Sequence, residues 1–284
     1  MDYNFSSDLK TIRELIALTQ EQLADKIGVE KITISRNETG KTTPSKILIE
    51  KVYDFAFKNN IHLGKLKEMF WKEDLYKNHK LLYHGSKSGI NGKIDVTKGR
   101  ANNDFGQGFY TGENYAQALS FVSSFDNSCL YFVDFNEQDL KCKKYEVNQE
   151  WMLTIAYYRG TLDNYKDNKD IVNLIESSRD CDYIIAPIAD NRMFQIINSF
   201  IDGEITDEQC KHCLAATNLG YQYVFKSQKA LDHIKLIEKN YICKREKEYY
   251  QNIRTNDAKL GDDKVKVARI KYRGKGKYID EIFK

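Results

Sequence analysis

The hydrophobic positions of the chain change their spacing early in the sequence. At first they recur at helical intervals, as Leu23, Ala24 and Ile27 do. Further on, helical segments alternate with short β-rich or alternating segments that are typical of strands. The pattern therefore predicts an all-α N-terminal domain over residues 1–75 and an α+β domain over residues 76–284.

Six segments of the second domain are predicted as strands: Lys80–His84, Gly108–Thr111, Cys129–Phe135, Tyr183–Ile188, Tyr221–Lys226 and Lys264–Tyr272. Six others have helical spacing: Asn114–Phe125, Glu150–Tyr158, Asp170–Ser177, Met193–Ile201, Asp207–Thr217 and Gln228–Glu238. The helices are spaced too irregularly for repeated parallel crossovers, which argues against a doubly wound sheet. We expect a bent or split antiparallel sheet, with a core at about residues 80–238 and a C-terminal extension over residues 239–284.

The N-terminal segment contains signals for two helices joined by a tight turn. Thr19 and Gln22 have the spacing of a capping box, and Gly28 supplies the backbone freedom for the turn. A second helix restarts after Val29, and a further helix follows Pro44. The inner face of this last helix is predicted to carry four apolar residues: Ile47, Leu48, Val52 and Phe55. Two helices with such a turn have the geometry that fits a DNA major groove.

The stretch TQEQLADKIGV followed by ITISRNETGKTTPS resembles the helix-turn-helix of phage repressors, the Xre type, over about Asp8–Asn59. The resemblance implies an ion pair between Arg13 and Glu38, and Asn37 departs from the large residue usual at its position. It also implies six DNA-facing residues: Gln20, Glu30, Lys31, Thr33, Arg36 and Lys41. Through Asp74 the module has twelve Lys/Arg and twelve Asp/Glu, which argues against strong nonspecific affinity for DNA. A bundle that only holds a dimer or a partner protein is the alternative.

Composition places the chain among folded proteins, with 41% hydrophobic and 12% aromatic residues. It has no apolar run long enough to cross a bilayer and no apolar secretion signal at its start. The six cysteines fit a reducing compartment, so a cytoplasmic location is expected. Cys210 and Cys213 have the spacing of a metal-binding pair, but a second pair is not evident, and no metal is expected.

Positive charge is concentrated in the C-terminal extension. Residues 239–284 contain fourteen Lys/Arg and seven Asp/Glu, whereas the net charge of the whole chain is +3. Tyrosines interleaved with these cations could track a nucleic-acid backbone and stack on bases. We favour instead a solvated extension with one helix and a final strand at Lys264–Tyr272 (KVKVARIKY), because alternating Lys with Val and Ile protects an edge strand.

Three segments of the second domain carry its candidate chemistry. They are LLYHGS at Leu81–Ser86, DFGQGFYTGENYA at Asp104–Ala116 and GYQYVFKSQKAL at Gly220–Leu231. The His-Gly step offers an imidazole and an open backbone amide, and the glycines with the Phe-Tyr pair offer a close turn and a flat surface. A Walker loop and a Rossmann fingerprint are both absent from the sequence, so a nucleotide would be held in another way.

In this order, and together with DYIIAPIAD at Asp182–Asp190, the segments resemble the active-site segments of ADP-ribosyltransferases of the diphtheria-toxin and poly(ADP-ribose) polymerase branch. The closest likeness is to an uncharacterised bacterial family of that clan, over about Lys80–Glu238. The resemblance implies an ADP-ribosyltransferase-like split antiparallel β-sheet and NAD as the substrate.

The resemblance also assigns roles to residues of this sequence. His84 would bond the adenine-side ribose, the Gly85 backbone would pair with the nicotinamide carboxamide, and Tyr110 would stack on the nicotinamide with its hydroxyl in water. The implied catalytic residues are His84, Tyr110 and Gln222. The implied NAD-binding residues are His84, Gly85, Ser86, Asp104, Gly106, Gly108, Phe109, Tyr110 and Gln222.

Gln222 departs from the family pattern, which has a glutamate at this position. An amide can hold a ribose hydroxyl but cannot act as a carboxylate base or counter the full charge of an oxocarbenium-like centre. Either Asp104 or Asp190 supplies the missing carboxylate, or the acceptor needs little deprotonation. If neither holds, the pocket binds NAD without turnover. For Asp190 and Arg192, a surface salt bridge is as good an explanation as a ligand contact.

These features lead to one main hypothesis and two alternatives. The main hypothesis is a transferase that moves ADP-ribose from NAD+ to a protein, DNA or RNA acceptor, as a bacterial toxin or phage-defence effector. Its DNA-binding module would serve autoregulation or targeting, with an antitoxin protein and a homodimer as further expected partners. The alternatives are an NAD-sensing transcription regulator with a non-catalytic second domain, and an NAD hydrolase.

Overall fold

The computed structural model describes residues 2–215 and 220–284. The chain begins with five helices: α1 (Phe5–Leu15), α2 (Gln20–Ile27), α3 (Lys31–Glu38), α4 (Lys46–Lys58) and α5 (Leu63–Asp74). Both halves of the predicted capping box form at the start of α2, between Thr19 and Gln22. Gly28 ends this helix in the left-handed conformation, with φ +65°, which confirms the predicted turn before α3.

The N-terminal helices enclose their own core, in which Leu9, Ile12, Leu23 and Ile34 are fully buried. The predicted ion pair forms, because Arg13 Nε donates to Glu38 Oε1 over 2.6 Å and so joins α1 to the end of α3. Asn37 is buried and donates to the Thr33 carbonyl, while its own carbonyl oxygen is unpaired. One prediction for α4 is wrong: Ile47 is 71% exposed, because it lies off the helix face on which Leu48 and Val52 are buried.

The second part of the chain contains a seven-stranded sheet. Its strands are β1 (His79–Ser86), β2 (Phe109–Gly112), β3 (Cys129–Asn136), β4 (Cys142–Lys144), β5 (Tyr183–Pro187), β6 (Tyr221–Phe225) and β7 (Ile234–Tyr241), in the order β4-β5-β6-β2-β1-β3-β7. All pairs are antiparallel except β4 with β5. This exception to the predicted antiparallel sheet has a topological cause, since helices cross between β4 and β5 and return the chain in the same direction.

The sheet is nearly divided between β1 and β2. These central strands pair at one register position, Tyr83 with Gly112, whereas β1 and β3 pair over their whole length. Two half-sheets result, β4-β5-β6-β2 and β1-β3-β7, and helix α6 (Tyr115–Val122) packs against both β1 and β2. Mixed helix and sheet with a helical N-terminal region is confirmed.

The remaining helices are α7 (Gln149–Tyr158), α8 (Lys169–Arg179), α9 (Asn191–Ile201), α10 (Asp207–Ala215), α11 (Gln228–Asp232), α12 (Lys244–Lys271) and α13 (Ile279–Ile282). The predicted helix Gln228–Glu238 is wrong beyond Asp232, because β7 begins at Ile234. The predicted strand Lys264–Tyr272 is also wrong, because most of this segment is the last part of α12. The predicted helix end at Thr217 lies outside the described residues.

Helix α12 and strand β7 connect the two parts of the chain. Cys243, at the start of α12, is buried in the N-terminal core, and Tyr241 donates to Glu50 over 2.7 Å. Further along, α12 packs against α6 and α10. Within the described residues, no helix combines the length and apolar character that crossing a membrane requires.

Candidate functional site

A cleft of about 670 Å³ opens where the sheet divides, a volume typical of small-molecule and cofactor sites. A smaller cavity of about 180 Å³ adjoins it and shares His84, Tyr110 and Gln222 with it. Eight of the nine predicted NAD-binding residues line the larger cleft: His84, Gly85, Ser86, Asp104, Gly108, Phe109, Tyr110 and Gln222. Residues from β1, β2, β6 and the loop before β2 therefore come together, although they are far apart in the sequence.

His84 lies near the end of β1 with its imidazole ring fixed on two sides. The ring stacks on Phe109, with centroids 4.5 Å apart. Nδ1 donates to the Tyr110 carbonyl over 2.7 Å, because a carbonyl can only accept. Burial lowers the pKa of His84, although this hydrogen bond opposes the shift. The ring is therefore neutral near pH 7, with Nε2 as its acceptor nitrogen.

Tyr110 presents its ring to the cleft, but its hydroxyl is not in water as predicted. The hydroxyl donates to the Gly106 carbonyl over 2.7 Å and accepts from the Phe105 amide over 3.1 Å. These two bonds hold the loop before β2. Burial, with Asp104 as the next cause, raises the pKa of Tyr110 far above its ordinary value, so the phenol stays protonated.

Gln222 belongs to a buried polar network at the base of the cleft. Its Nε2 donates to Asp104 Oδ2 over 2.8 Å and to the Pro187 carbonyl over 3.2 Å. Asp104 also accepts from Arg159, whose Nε and guanidinium nitrogen lie 2.8 and 2.5 Å from Oδ1. Arg159 donates in addition to the Ala189 carbonyl over 2.8 Å.

Arg159 and Lys226 are two residues of this region that sequence reasoning missed. Arg159 follows α7, more than fifty residues after Asp104, with no motif around it. Lys226 donates to the carbonyls of Phe105 and Gln107 and so fixes the same loop as Tyr110. Burial lowers the pKa of Lys226 to about 8. Lys226 stands within the segment Gly220–Leu231, directly after β6, but the sequence analysis assigns it no role.

Two of the predicted glycines are required by packing within the protein. A side chain at Gly85 would come within 2.7 Å of the Ala118 carbonyl, so the glycine lets α6 approach β1. Gly106 has φ +70°, and a side chain there would meet the Tyr158 ring at 2.8 Å. Gly106 is the one predicted NAD-binding residue that is not part of the cleft lining.

The rim of the cleft is rich in positive charge. Four cations line it besides the paired Arg159: Lys87, Lys93, Lys98 and Arg100. The rim also carries Asp95, whose pKa is lowered by hydrogen bonds from Thr97. Excess positive charge along a cleft attracts anionic ligands such as phosphates.

Asp190 and Arg192 have structural partners. Asp190 caps α9 by accepting from the Met193 amide over 2.9 Å. Arg192 lies 3.2 Å from Asp262 and donates to the Ala258 carbonyl on α12 over 2.5 Å. Arg192 thus forms a salt bridge, and neither Asp190 nor Arg192 lines the large cleft.

The predicted DNA-facing residues lie at or next to α3. Glu30, Lys31, Arg36 and Lys41 are exposed. Thr33 is half-buried and lines a groove with Arg36. Lys31 pairs with Glu21 over 3.3 Å on the surface. Gln20 instead donates to Glu38 over 2.7 Å, which orients the ion pair of Glu38 with Arg13.

The Cys210–Cys213 pair lies inside the protein. Both thiols are buried, and burial raises the pKa of each. Across residues 2–215 and 220–284, no group of three or more His, Cys, Asp or Glu is arranged to hold a metal.

The fold and the cleft together define the class of this protein. It is a helix-turn-helix protein with a second, α+β part that is built around a divided sheet. Residues 9–52 match the family model described as Helix-turn-helix, which confirms the predicted Xre-type module and supports DNA binding. Residues 81–236, more than half of the chain, match the model described as Protein of unknown function (DUF3990), and the chain belongs to that family. No curated protein and no solved structure matches the chain.

Proposed function

We propose that the second domain is an NAD-dependent ADP-ribosyltransferase. The observation that carries the proposal is the convergence of His84, Tyr110 and Gln222, from three different strands, on one cleft. The neutral His84 ring offers an acceptor nitrogen to a ribose hydroxyl, and the Tyr110 ring offers a flat surface to the nicotinamide. The cationic rim suits the pyrophosphate.

In the proposed reaction, the bond between nicotinamide nitrogen and ribose C1′ breaks, and its electron pair stays on nicotinamide, which leaves neutral. A nucleophile of the acceptor donates a lone pair to C1′ and loses its proton to solvent. Gln222 holds a ribose hydroxyl while positive charge develops on the ribose. The chain contributes by orientation and by electrostatics, because only contacts that strengthen towards the transition state raise the rate.

The wider setting follows from the two domains together. A DNA-binding helix-turn-helix joined to such an enzyme suits a bacterial toxin or phage-defence effector that controls its own operon or acts at nucleic acid. An antitoxin protein and a second copy of the chain are the partners that this setting proposes. The acceptor is a macromolecule, either protein or nucleic acid.

A specific observation favours a second candidate, an NAD-sensing regulator without turnover. Gln222 is an amide, and the nearest carboxylate, Asp104, is already paired with Arg159. Both oxygens of this carboxylate accept hydrogen bonds from the protein, so Asp104 is not free to take a proton from the acceptor. In this case NAD+ would bind in the same cleft and would alter DNA binding instead of being consumed.

One experiment separates these candidates. The purified chain is incubated with NAD+ labelled in its adenylate part, with and without bacterial extract, and nicotinamide release and labelled macromolecules are measured. The transferase predicts both products, and loss of both in His84→Ala and Tyr110→Ala. Tyr110→Phe keeps the ring but loses the loop contacts, so it separates stacking from loop support.

The other outcomes are equally distinct. Free ADP-ribose without a labelled macromolecule indicates a hydrolase. Binding by calorimetry without nicotinamide release rejects the enzyme in favour of the sensor. No heat with NAD+ rejects both.

A further inference from the structure

The orientation of the Gln222 amide is fixed by its surroundings. Both groups that face Nε2, the Asp104 carboxylate and the Pro187 carbonyl, can only accept hydrogen bonds. The nitrogen must therefore point towards them, and an amide flip would set oxygen against oxygen. Since Gln222 lines both cavities of the site, its Oε1 is the atom left to meet a ligand.

Asp104 is itself held in place by three groups. Arg159 binds Oδ1, while the Ala189 amide lies 3.4 Å from Oδ2 and Gln222 donates to the same oxygen. The side chains of Asp104 and Arg159 are 8% and 17% exposed, so this ion pair is largely shielded from water. Arg159 also packs over the Phe194 ring at 4.5 Å. Both oxygens of Asp104 are therefore engaged by protein donors, although Asp104 and Arg159 also line the cleft.

We propose that Asp104 and Arg159 are positioning residues that keep Oε1 of Gln222 towards the cleft, so that this point selects a hydroxyl donor of the ligand. The anionic Asp104 polarises the amide and makes Oε1 a stronger acceptor. Asp104, which also lines the cleft, thus acts on the ligand through Gln222. The inference rests on the proposed function only for the identity of the ligand, whose ribose hydroxyls are the donors.

Calorimetry with NAD+ and with deoxy analogues that each lack one ribose hydroxyl tests the proposal. One analogue is expected to bind the wild-type chain about tenfold more weakly than NAD+, the effect of one lost hydrogen bond in a shielded site. Gln222→Leu and Asp104→Asn are each expected to abolish this discrimination. Asp167→Asn, a change at an exposed carboxylate outside the cleft lining, is the matched control and should preserve it. A purely structural role for Asp104 would change stability but not the preference among analogues.

An exchange of the two groups provides a rescue. Gln222→Glu alone sets two carboxylates side by side and should weaken NAD+ binding at neutral pH more than at acidic pH. In Asp104→Asn/Gln222→Glu, the amide at position 104 can donate to the carboxylate at position 222, which still offers an acceptor oxygen. This double variant is expected to regain part of the discrimination, because one oxygen of its carboxylate faces the Pro187 carbonyl.

Several results would overturn the proposal. If all analogues bind the wild type equally, Gln222 does not select a hydroxyl of the ligand. The same conclusion follows if the discrimination persists in Gln222→Leu. Discrimination that persists in Asp104→Asn removes the positioning role. If Asp104→Asn does not fold, slow hydrogen exchange of the Gln222 side-chain amide in the wild type, measured by NMR, tests the orientation instead. If the wild type binds no NAD+ at all, the proposed function fails separately, and the same NMR measurement still decides the orientation.

Discussion

At the scale of single residues, the cleft contains two kinds of side chain. His84 and Gln222 each use one polar group internally and keep an acceptor for a ligand. Tyr110, Gly106 and Lys226 instead fix the loop before β2. The sequence motifs contain both ligand-facing and loop-supporting residues and do not distinguish them. A motif gives the residue type at a position, but it does not show whether the residue contacts a ligand or another part of the protein.

Local chain order carries the information for part of the cleft. His84, Gly85 and Tyr110 stand in short motifs, and they line the cleft as predicted. Arg159 could not be found in this way, since its partner Asp104 lies in a distant segment and is brought close by the packing of α7. Tertiary pairing of two charged residues leaves no local signal in a single sequence.

Glu246 supports a prediction about pH. Burial raises the pKa of this carboxyl from 4.5 to about 8, although a hydrogen bond from Tyr115 opposes the shift. Between pH 4.5 and about 8, Glu246 therefore keeps its proton in the folded chain but has lost it in the unfolded chain. The contribution of protonated Glu246 to stability is full below about pH 4.5 and is lost as the pH rises through about 8. We expect the free energy of unfolding to fall with rising pH by up to about 1.4 kcal/mol per unit in this window.

Denaturant unfolding at several pH values measures this effect. Glu246→Gln, which stays neutral throughout, should flatten the dependence, whereas Glu248→Gln on the exposed side of α12 should leave it unchanged. An unaltered slope in Glu246→Gln would assign the dependence to other groups.

At the scale of elements, the wrongly predicted strand Lys264–Tyr272 has a physical cause. The segment KVKVARIKY alternates and suggests a strand, yet Gly261, Val265, Ala268 and Tyr272 also follow helical spacing. This second pattern contacts the rest of the protein, since Gly261 and Ala268 are buried and Val265 and Tyr272 pack against the core. When a segment has both strand and helix periodicity, the surface that it packs against determines which structure forms. Here α9 and α10 provide a surface for a helix.

We predict that helix α3 contacts the bases of DNA. Arg36 is exposed on α3 and lines the groove beside it. A DNA sequence that the wild-type chain binds is first selected from a random pool. The Arg36→Ala variant should bind this DNA about 5- to 100-fold more weakly than the wild type, which is the usual loss for one arginine contact to a base. Lys10→Ala on the exposed face of α1 is the control of equal charge change. Fluorescence anisotropy at fixed salt measures both, and equal affinity of Arg36→Ala and wild type would remove α3 from the DNA interface.

At the scale of the whole molecule, the helix-turn-helix region is not a freely tethered module. Lys67 on α5 lies 2.7 Å from Asp8 in the N-terminal core and 2.8 Å from Glu238 on β7. Arg245 and Asp54 add a second ion pair between α12 and α4. This packing gives a route by which ligand binding at the cleft and DNA binding at α3 could influence one another, as the sensor alternative requires.

This packing predicts that both parts unfold together and that Lys67 holds them. Lys67→Ala leaves the largely buried carboxylates of Asp8 and Glu238 without their cation, which should cost about 3–5 kcal/mol. Both native tryptophans pack in the second part, Trp151 in its core and Trp71 against the cluster of β1, β3 and α6. Trp151 alone, with Trp71→Phe, therefore reports the second part, and Phe5→Trp in a Trp71→Phe/Trp151→Phe chain reports the N-terminal core. Their denaturant transitions should coincide when Lys67 is present and shift together in Lys67→Ala, with Lys266→Ala at an exposed pair as control. Separate transitions of the two reporter chains, or a shift confined to the Phe5→Trp reporter, would mean that the contacts between the parts contribute little and that the cleft and the DNA-binding face are energetically independent.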